Sequence, residues 1–207
     1  MAATQPAAPL QRIRNIVVEW LPAFALLLLL TAARSSFANH YVVPTGSMED
    51  TLVPGDRVIV DMSAYGLRVP FTDVVVAGRG DPARGEIVVF DSPVDGTRLI
   101  KRVAAVAGDR VSLRNGHLVV NGQALADAAG SDIERFGSRE ALVNLDHGGG
   151  PDIDDLVIPR GQVLVLGDHR GNSFDGRMYG LVPVGAFYGK AVAVYWRSGE
   201  GPVWKRL

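Results

Sequence analysis

Ser47 is the first residue of this chain whose surroundings suggest chemistry. It lies in VVPTGSMEDTL (residues 42–52), directly after Pro44, Thr45 and Gly46. Proline and glycine disfavour regular secondary structure and leave backbone N–H groups accessible, although most serines in such turns are only turn residues. A serine acts as a nucleophile only when a base and an oxyanion-binding site lie beside it. The GxSxG and SxxK motifs of familiar serine hydrolases are absent from the sequence, so the base must be sought elsewhere.

Lys101 is the candidate for that base. In RLIKRVAAV (residues 98–106), the alternation of a β-strand places Lys101 on the face of Leu99 and Val103, whereas Arg98 and Arg102 point to the other face. The alternation therefore predicts an apolar face that carries Lys101 and a polar face that carries Arg102. Burial of an amine disfavours its charged form, which lowers its pKa and lets it accept a proton. A lysine that only extends its ammonium group to water fits the same pattern.

A third segment, GDHRGNSFDGRMYG (residues 167–180), combines charges with small residues. It follows the apolar run VLVL and contains Asp168, Arg170, Asp175 and Arg177. These residue types predict a loop held by ion pairs and hydroxyl groups. A charged surface turn explains the same composition.

The elements that must position these segments are short and β-like. Runs rich in β-branched residues alternate with Gly, Pro, Asn and Asp, and Asn115-Gly116 between two such runs indicates a hairpin. We predict a mainly β fold, with antiparallel sheets in a sandwich or barrel-like domain over residues 35–207. A small inserted cap is predicted at about residues 113–160, because the composition between Gly122 and Pro159 shifts to Ala, Gly, Asp and Glu.

The N-terminal segment predicts one transmembrane helix over residues 15–34, after a cytoplasmic tail of residues 1–14. Its apolar run from Ile16 to Ala33 is long enough to span a bilayer, which makes lipid a predicted partner. Arg12 and Arg14 precede the run, so the positive-inside rule places the catalytic domain on the extracytoplasmic side of the cell membrane. A cleavable signal peptide is the alternative, since small residues precede Ala38.

Composition excludes several classes of function. With 21 basic and 22 acidic residues the net charge is −1, so no nucleic-acid partner is expected. The absence of cysteine excludes disulfides and a thiol nucleophile, and the four scattered histidines do not have metal-ligand spacing. We therefore expect no metal and no cofactor, and we expect a monomer.

Together these segments resemble the bacterial type I signal peptidases, which are membrane-bound proteases with a Ser/Lys dyad. The resemblance runs from Tyr41 to about Trp196 and follows four motifs in order: PTGSMEDTL, GDRVIVDMSAYG, RGEIVVF with LIKRVAAVAGD, and GDHRGNSFDGRMYGLVP. It implies an endopeptidase that removes signal peptides from secretory preproteins after small residues at positions −3 and −1. Those preproteins are the implied partners.

The resemblance also implies a role for individual residues. Ser47 matches the nucleophile and Lys101 the general base, with an acyl-enzyme intermediate, while Thr45 and the amide of Ser47 match the oxyanion hole. The supporting residues are Ser173, expected to hydrogen-bond the lysine, and two ion pairs, Asp175 with Arg177 and Asp168 with Arg102. The pockets for small substrate side chains map onto Val43, Pro44, Met48, Leu52, Val58, Val89, Leu99 and Ile100.

The chain departs from the family pattern at four positions. His169 stands where Asn is usual, Gly176 where Ser is usual, Asp50 where Pro is common and Met62 where Lys is common. His169 keeps open a histidine base for Ser47. Two other readings also remain open: a self-cleaving repressor of related fold, which the apolar segment and the lack of a DNA-binding region disfavour, and a membrane-tethered β domain that binds a partner without catalysis.

Overall fold

A computed structural model of the chain describes residues 9–69, 72, 74–78, 80–128 and 131–207. Helix α1 (Pro9–Ser36) opens this part of the chain, and residues 1–8 of the predicted cytoplasmic tail lie outside the described residues. Within α1, Arg14–Thr31 is long and apolar enough to cross a membrane, and its large apolar side chains from Ile16 to Leu30 are exposed. The helix is therefore suited to a lipid environment rather than to packing on the rest of the protein.

The remainder of the described chain is mainly β-strand, which confirms the predicted fold class. In chain order the strands are β1 (Ala38–Val42), β2 (Arg57–Asp61), β3 (Gly66–Arg68), β4 (Val75–Gly78), β5 (Ile87–Asp91), β6 (Arg98–Ala105), β7 (Arg110–Arg114), β8 (His117–Val120), β9 (Gln123–Ala124), β10 (Ile133–Phe136), β11 (Arg139–Leu142), β12 (Ile153–Val157), β13 (Gln162–Leu166), β14 (Val182–Pro183), β15 (Phe187–Arg197) and β16 (Gly201–Arg206). Two short 3₁₀ turns and a one-turn helix, α2 (Gly176–Tyr179), interrupt the C-terminal half.

Eight of the described strands form one antiparallel sheet in the order β1-β2-β15-β5-β6-β13-β14, with β16 paired to β15. Strand β5 shows why this sheet is covered on both sides. Ile87 and Val89 belong to one buried apolar cluster, and Val88 and Phe90 belong to another. Since successive side chains of a strand point to opposite faces, apolar layers lie above and below the sheet, which suits a sandwich-like domain.

The predicted cap is folded on its own sheet. Strands β12-β7-β8-β9 form a four-stranded sheet, and β10 and β11 form a hairpin beside it. Asn115 and Gly116 have positive φ angles of 50° and 84° and join β7 to β8, as their sequence predicted. Leu118 and Phe136 of the cap share a buried cluster with Leu164 of the large sheet. Although its composition is polar, the insert therefore contributes to a core that is continuous with the main domain.

The acidic residues of the cap form ion pairs. Asp155 pairs with Arg110, and Asp152 and Asp154 pair with Arg114. Among the described residues, no group of three or more His, Asp or Glu side chains is arranged to hold a metal ion.

Candidate active site

Ser47 and Lys101 meet in a buried site. Lys101 Nζ lies 2.7 Å from Ser47 Oγ, although the two residues are separated by 54 positions in the chain. Both side chains are buried, with 8% of Ser47 and 3% of Lys101 exposed. The contact has the length of a hydrogen bond, so a neutral amine here is within reach of the hydroxyl proton.

Backbone hydrogen bonds and buried side chains fix the turn that carries Ser47. Glu49 N–H donates to Gly46 O at 3.0 Å, and Leu52 N–H donates to Met48 O at 2.8 Å. The side chains of Met48 and Leu52 are fully buried in the apolar cluster under the turn. These anchors hold Ser47 against the middle of β6, where Lys101 is located.

Burial lowers the pKa of Lys101 from 10.5 to about 8. The loss of hydration is the largest cause, because it disfavours the ammonium form. The carboxylates of Asp175 and Asp168 act in the opposite direction, whereas the charge of Arg177 lowers the pKa further. A substantial fraction of Lys101 is thus neutral in mildly alkaline solution, as a general base requires.

Both predicted ion pairs are formed. Arg102 donates two hydrogen bonds to Asp168, Nε to Oδ1 at 2.8 Å and Nη2 to Oδ2 at 2.7 Å, and a third from Nη1 to Gly85 O. Arg177 contacts Asp175 in the same two-pronged way. The prediction that Arg102 lies on a polar face is wrong in one respect, because Arg102 is buried. Other elements of the fold cover both faces of β6.

Asp175 also organises the loop around it. It caps α2 by accepting a hydrogen bond from Arg177 N–H, and its Oδ2 accepts Gly167 N–H at 2.9 Å. Burial raises the pKa of Asp175, but the hydrogen bond and charge of Arg177, together with the hydrogen bond from Gly167 N–H, hold the pKa below its usual value. Asp175 therefore remains an anion that fixes the start of the loop.

The predicted hydrogen bond from Ser173 to Lys101 is not formed. Within the described part of the chain, the buried Oγ of Ser173 has no hydrogen-bond partner. Its side chain lies against Gly167, and a Cβ on Gly167 would also come within 2.5 Å of the carbonyl oxygen of Ser47. Ser173 is thus placed beside the dyad by a close contact with glycine rather than by a polar contact with the lysine.

An apolar cleft of about 140 Å³ is lined in part by the residues that precede Ser47 and Lys101 in the chain, up to Pro44 and Ile100. It is lined by six of the predicted pocket residues, Val43, Pro44, Val58, Val89, Leu99 and Ile100, and also by Tyr41, Val42 and Arg98, which were not predicted. Met48 and Leu52 do not line it, because they are buried in the core beneath the turn. Tyr41 and Val42 lie just before the predicted residue Val43, and Arg98 lies just before Leu99, so nearness in the chain was the signal that pointed to them.

Thr45 and His169 occupy different places relative to Ser47. Thr45 is exposed on the chain between the cleft residue Pro44 and the nucleophile. His169 does not reach Ser47 Oγ by its ring. Its Nδ1 lies 3.2 Å from Glu49 Oε2 and its Nε2 lies 3.0 Å from His147 Nδ1, so the geometry disfavours a histidine base.

Comparison with known proteins identifies the family of this chain. A sequence model of the family described as "Signal peptidase, peptidase S26" matches residues 17–196. The signal peptidase I of Pseudomonas aeruginosa is 33% identical over 210 residues, which cover 89% of this chain and 73% of that protein. A probable signal peptidase I-2 of Synechocystis is 33% identical over 179 residues, covering 82% of this chain and 68% of that protein. A solved signal peptidase I from Enterococcus faecalis is 27% identical, covers 54% of this chain and 97% of its own, and has a TM-score of 0.39.

The resemblance to type I signal peptidases is therefore confirmed at the level of the family. The matched residues begin inside α1 and end inside β15, so they include the serine turn, the lysine strand and the charged loop. This chain belongs to the signal peptidases of peptidase family S26, proteases that remove signal peptides.

Proposed function

We propose that this protein cleaves secretory preproteins with Ser47 as nucleophile and Lys101 as general base. The observation that carries the proposal is the 2.7 Å contact between Lys101 Nζ and Ser47 Oγ in a buried site. The lowered pKa of Lys101 supports the same assignment, because it makes the neutral amine accessible near physiological pH.

In the proposed reaction, neutral Lys101 takes the hydroxyl proton while Ser47 Oγ attacks the carbonyl carbon of the residue at position −1. The resulting oxyanion is bound by Ser47 N–H and the hydroxyl of Thr45. Collapse of the intermediate breaks the C–N bond, and the ammonium group of Lys101 returns a proton to the leaving amine. Water, activated by the again neutral amine, then hydrolyses the acyl-enzyme and releases the signal peptide.

The cleft supports a preference for small apolar side chains. Val43 and Pro44 bring one wall of the cleft to the edge of the serine turn, and Leu99 and Ile100 bring the other to Lys101. A volume of about 140 Å³ bounded by valine side chains accommodates small residues and excludes aromatic ones. We assign positions −1 and −3 of the substrate to this cleft.

Helix α1 supports action at a membrane. It ends at Ser36, and Ser47 follows 47 − 36 = 11 residues later, so the nucleophile lies at most about 40 Å from the helix end. Signal peptides present their cleavage sites next to their own apolar segment. We place the N-terminus in the cytoplasm and the catalytic domain on the extracytoplasmic side, on the basis of the arginines that precede the apolar run.

The proposal is tested on the full-length protein in detergent with a precursor that has Ala at −3 and −1. We expect cleavage after the −1 alanine by the wild type, and at least about 10³-fold less by Ser47→Ala and by Lys101→Met. Circular dichroism should show that both variants are folded. Equal cleavage by the wild type and Ser47→Ala would reject the mechanism, and no cleavage by any form would favour a non-catalytic, partner-binding domain.

A further inference from the structure

Three side chains beside the nucleophile form a hydrogen-bonded series that the Ser47–Lys101 mechanism does not use. It runs from Glu49 through His169 to His147, with contacts of 3.2 Å and 3.0 Å. His169 is 3% exposed, Glu49 is half-buried and His147 is exposed, so this series of side chains leads from the serine turn to the surface. The backbone N–H of His169 also donates to the carbonyl oxygen of Ser47 at 3.2 Å. One residue therefore contacts the serine turn at two points.

The carboxylate of Glu49 lies against the most sensitive part of that turn. Its side chain folds back over Gly46, so that a Cβ placed on Gly46 would lie 2.6 Å from Glu49 Oε2. Gly46 is the residue between Thr45 and Ser47, to which we assign the oxyanion donors. An anion thus lies next to the groups that must bind a developing negative charge.

A free carboxylate at this place would compete with the reaction. It accepts hydrogen bonds at several positions, and bonds from N–H and O–H donors to an ionised oxygen are stronger than neutral ones. The carboxylate already lies over Gly46, between the two residues to which we assign those donors. A carboxylate bound there would occupy donors needed by the oxyanion and would add a like charge, so the loss would fall on the transition state rather than on substrate binding.

We propose that His169 is a positioning residue that holds the Glu49 carboxylate away from the oxyanion donors. This inference rests on the proposed function. The group that binds Glu49 is the N–H at Nδ1 of His169, which a neutral imidazole carries in its Nδ1-protonated tautomer. His147, which lies at Nε2, can fix that tautomer. The charged neighbours of His169 in the chain are already paired, Asp168 with Arg102 and Arg170 with Glu134, so they do not draw the imidazole away.

The test compares His169→Ala with His169→Asn in the full-length protein. The alanine variant loses the donor and should lower kcat by about 10- to 100-fold with KM changed by less than about twofold. The asparagine variant keeps an N–H donor and should retain kcat within about threefold of the wild type. A merely structural role of the ring would make both variants defective.

A double variant shows whether the defect comes from the released carboxylate. Glu49→Ala in the His169→Ala background should restore kcat to within about threefold of Glu49→Ala alone, since no anion remains to occupy the donors. Asp50→Ala is the matched control: it removes the exposed carboxylate next in the chain and should leave the His169→Ala defect unchanged.

Two results would overturn the inference: a double variant as slow as His169→Ala, or a His169→Asn variant as slow as His169→Ala. Thermal unfolding of each variant separates loss of folded protein from loss of rate. Failure of the proposed function has a different signature, because it would appear as cleavage that survives Ser47→Ala.

Discussion

Replacing Lys101 with methionine should stabilise the folded protein at neutral pH while abolishing cleavage. The side chain is 3% exposed, and burial lowers its pKa from 10.5 to about 8. At pH 7 the amine is charged in the folded and in the unfolded chain, so the folded state bears the full cost of burying the ammonium group. A difference of about 2.5 pKa units corresponds to ~3 kcal/mol. Methionine has a similar length and carries no charge.

The advantage of the methionine variant should disappear as the pH rises from 8 to 10.5. In this interval the unfolded chain still holds the proton that the folded protein has released, so the stability of the wild type increases with pH. Above about pH 10.5 both states are neutral and the cost is gone. The variant also loses the hydrogen bond to Ser47, worth about 1 kcal/mol, so its net gain at pH 7 is about 2 kcal/mol.

Denaturant unfolding of the full-length protein in detergent, measured between pH 7 and 10, would detect this gain. Lys190→Met is the control, because the ammonium group of Lys190 is 2.8 Å from Glu86 and its side chain is partly exposed. That variant should be no more stable than the wild type at any pH. A Lys101→Met protein without extra stability at pH 7, or with the same extra stability at pH 10, would refute the argument that burial penalises the ammonium form.

Three further predictions follow from the same geometry. The kcat/KM of the wild type should fall about tenfold per pH unit below pH 8, because only neutral Lys101 accepts the serine proton. Lys101→Arg should be folded but inactive at every pH. A flat pH–rate profile of the wild type between pH 6 and 8 would contradict this. Gly167→Ala should lower kcat at least about 100-fold in steady-state kinetics, because its Cβ would lie 2.5 Å from the carbonyl oxygen of Ser47; an unchanged kcat would show that the turn can yield. Arg102→Met should reduce the free energy of unfolding by about 3–5 kcal/mol, because it leaves Asp168 buried and unpaired; a loss below about 1 kcal/mol would show that water reaches the carboxylate.

The sequence predicted those features that depend on local pattern. Alternation along β6 placed Lys101 among apolar side chains, and the Asn115-Gly116 pair predicted the turn between β7 and β8. Alternation along one strand carries no information about what covers its second face. The resemblance implied the ion pair of Arg102 with Asp168, but the burial of Arg102 was not predicted.

Contacts between distant segments could not be predicted in the same way. Glu49 and His169 are 120 residues apart, and nothing near either residue indicates that their side chains meet. The role of Ser173 was expected from the resemblance, but its close approach to Gly167 and the absence of a hydrogen-bond partner for its Oγ among the described residues were not. Met48 was assigned to the pocket for a similar reason, since sequence does not show that its side chain points beneath the turn.

The ion pair of Asp175 with Arg177 resolves a conflict in the electrostatics of the site. Asp175 is needed for geometry, because it holds Gly167 N–H and caps α2, and Gly167 in turn packs on the backbone of Ser47. An unpaired carboxylate in that position would raise the pKa of Lys101 and keep the amine charged. Arg177 offsets that charge and itself lowers the pKa of Lys101, so the loop gains an acidic anchor while burial still determines the protonation of the base. The arginine partner therefore assists the apolar environment, which remains the largest cause of the lowered pKa of Lys101.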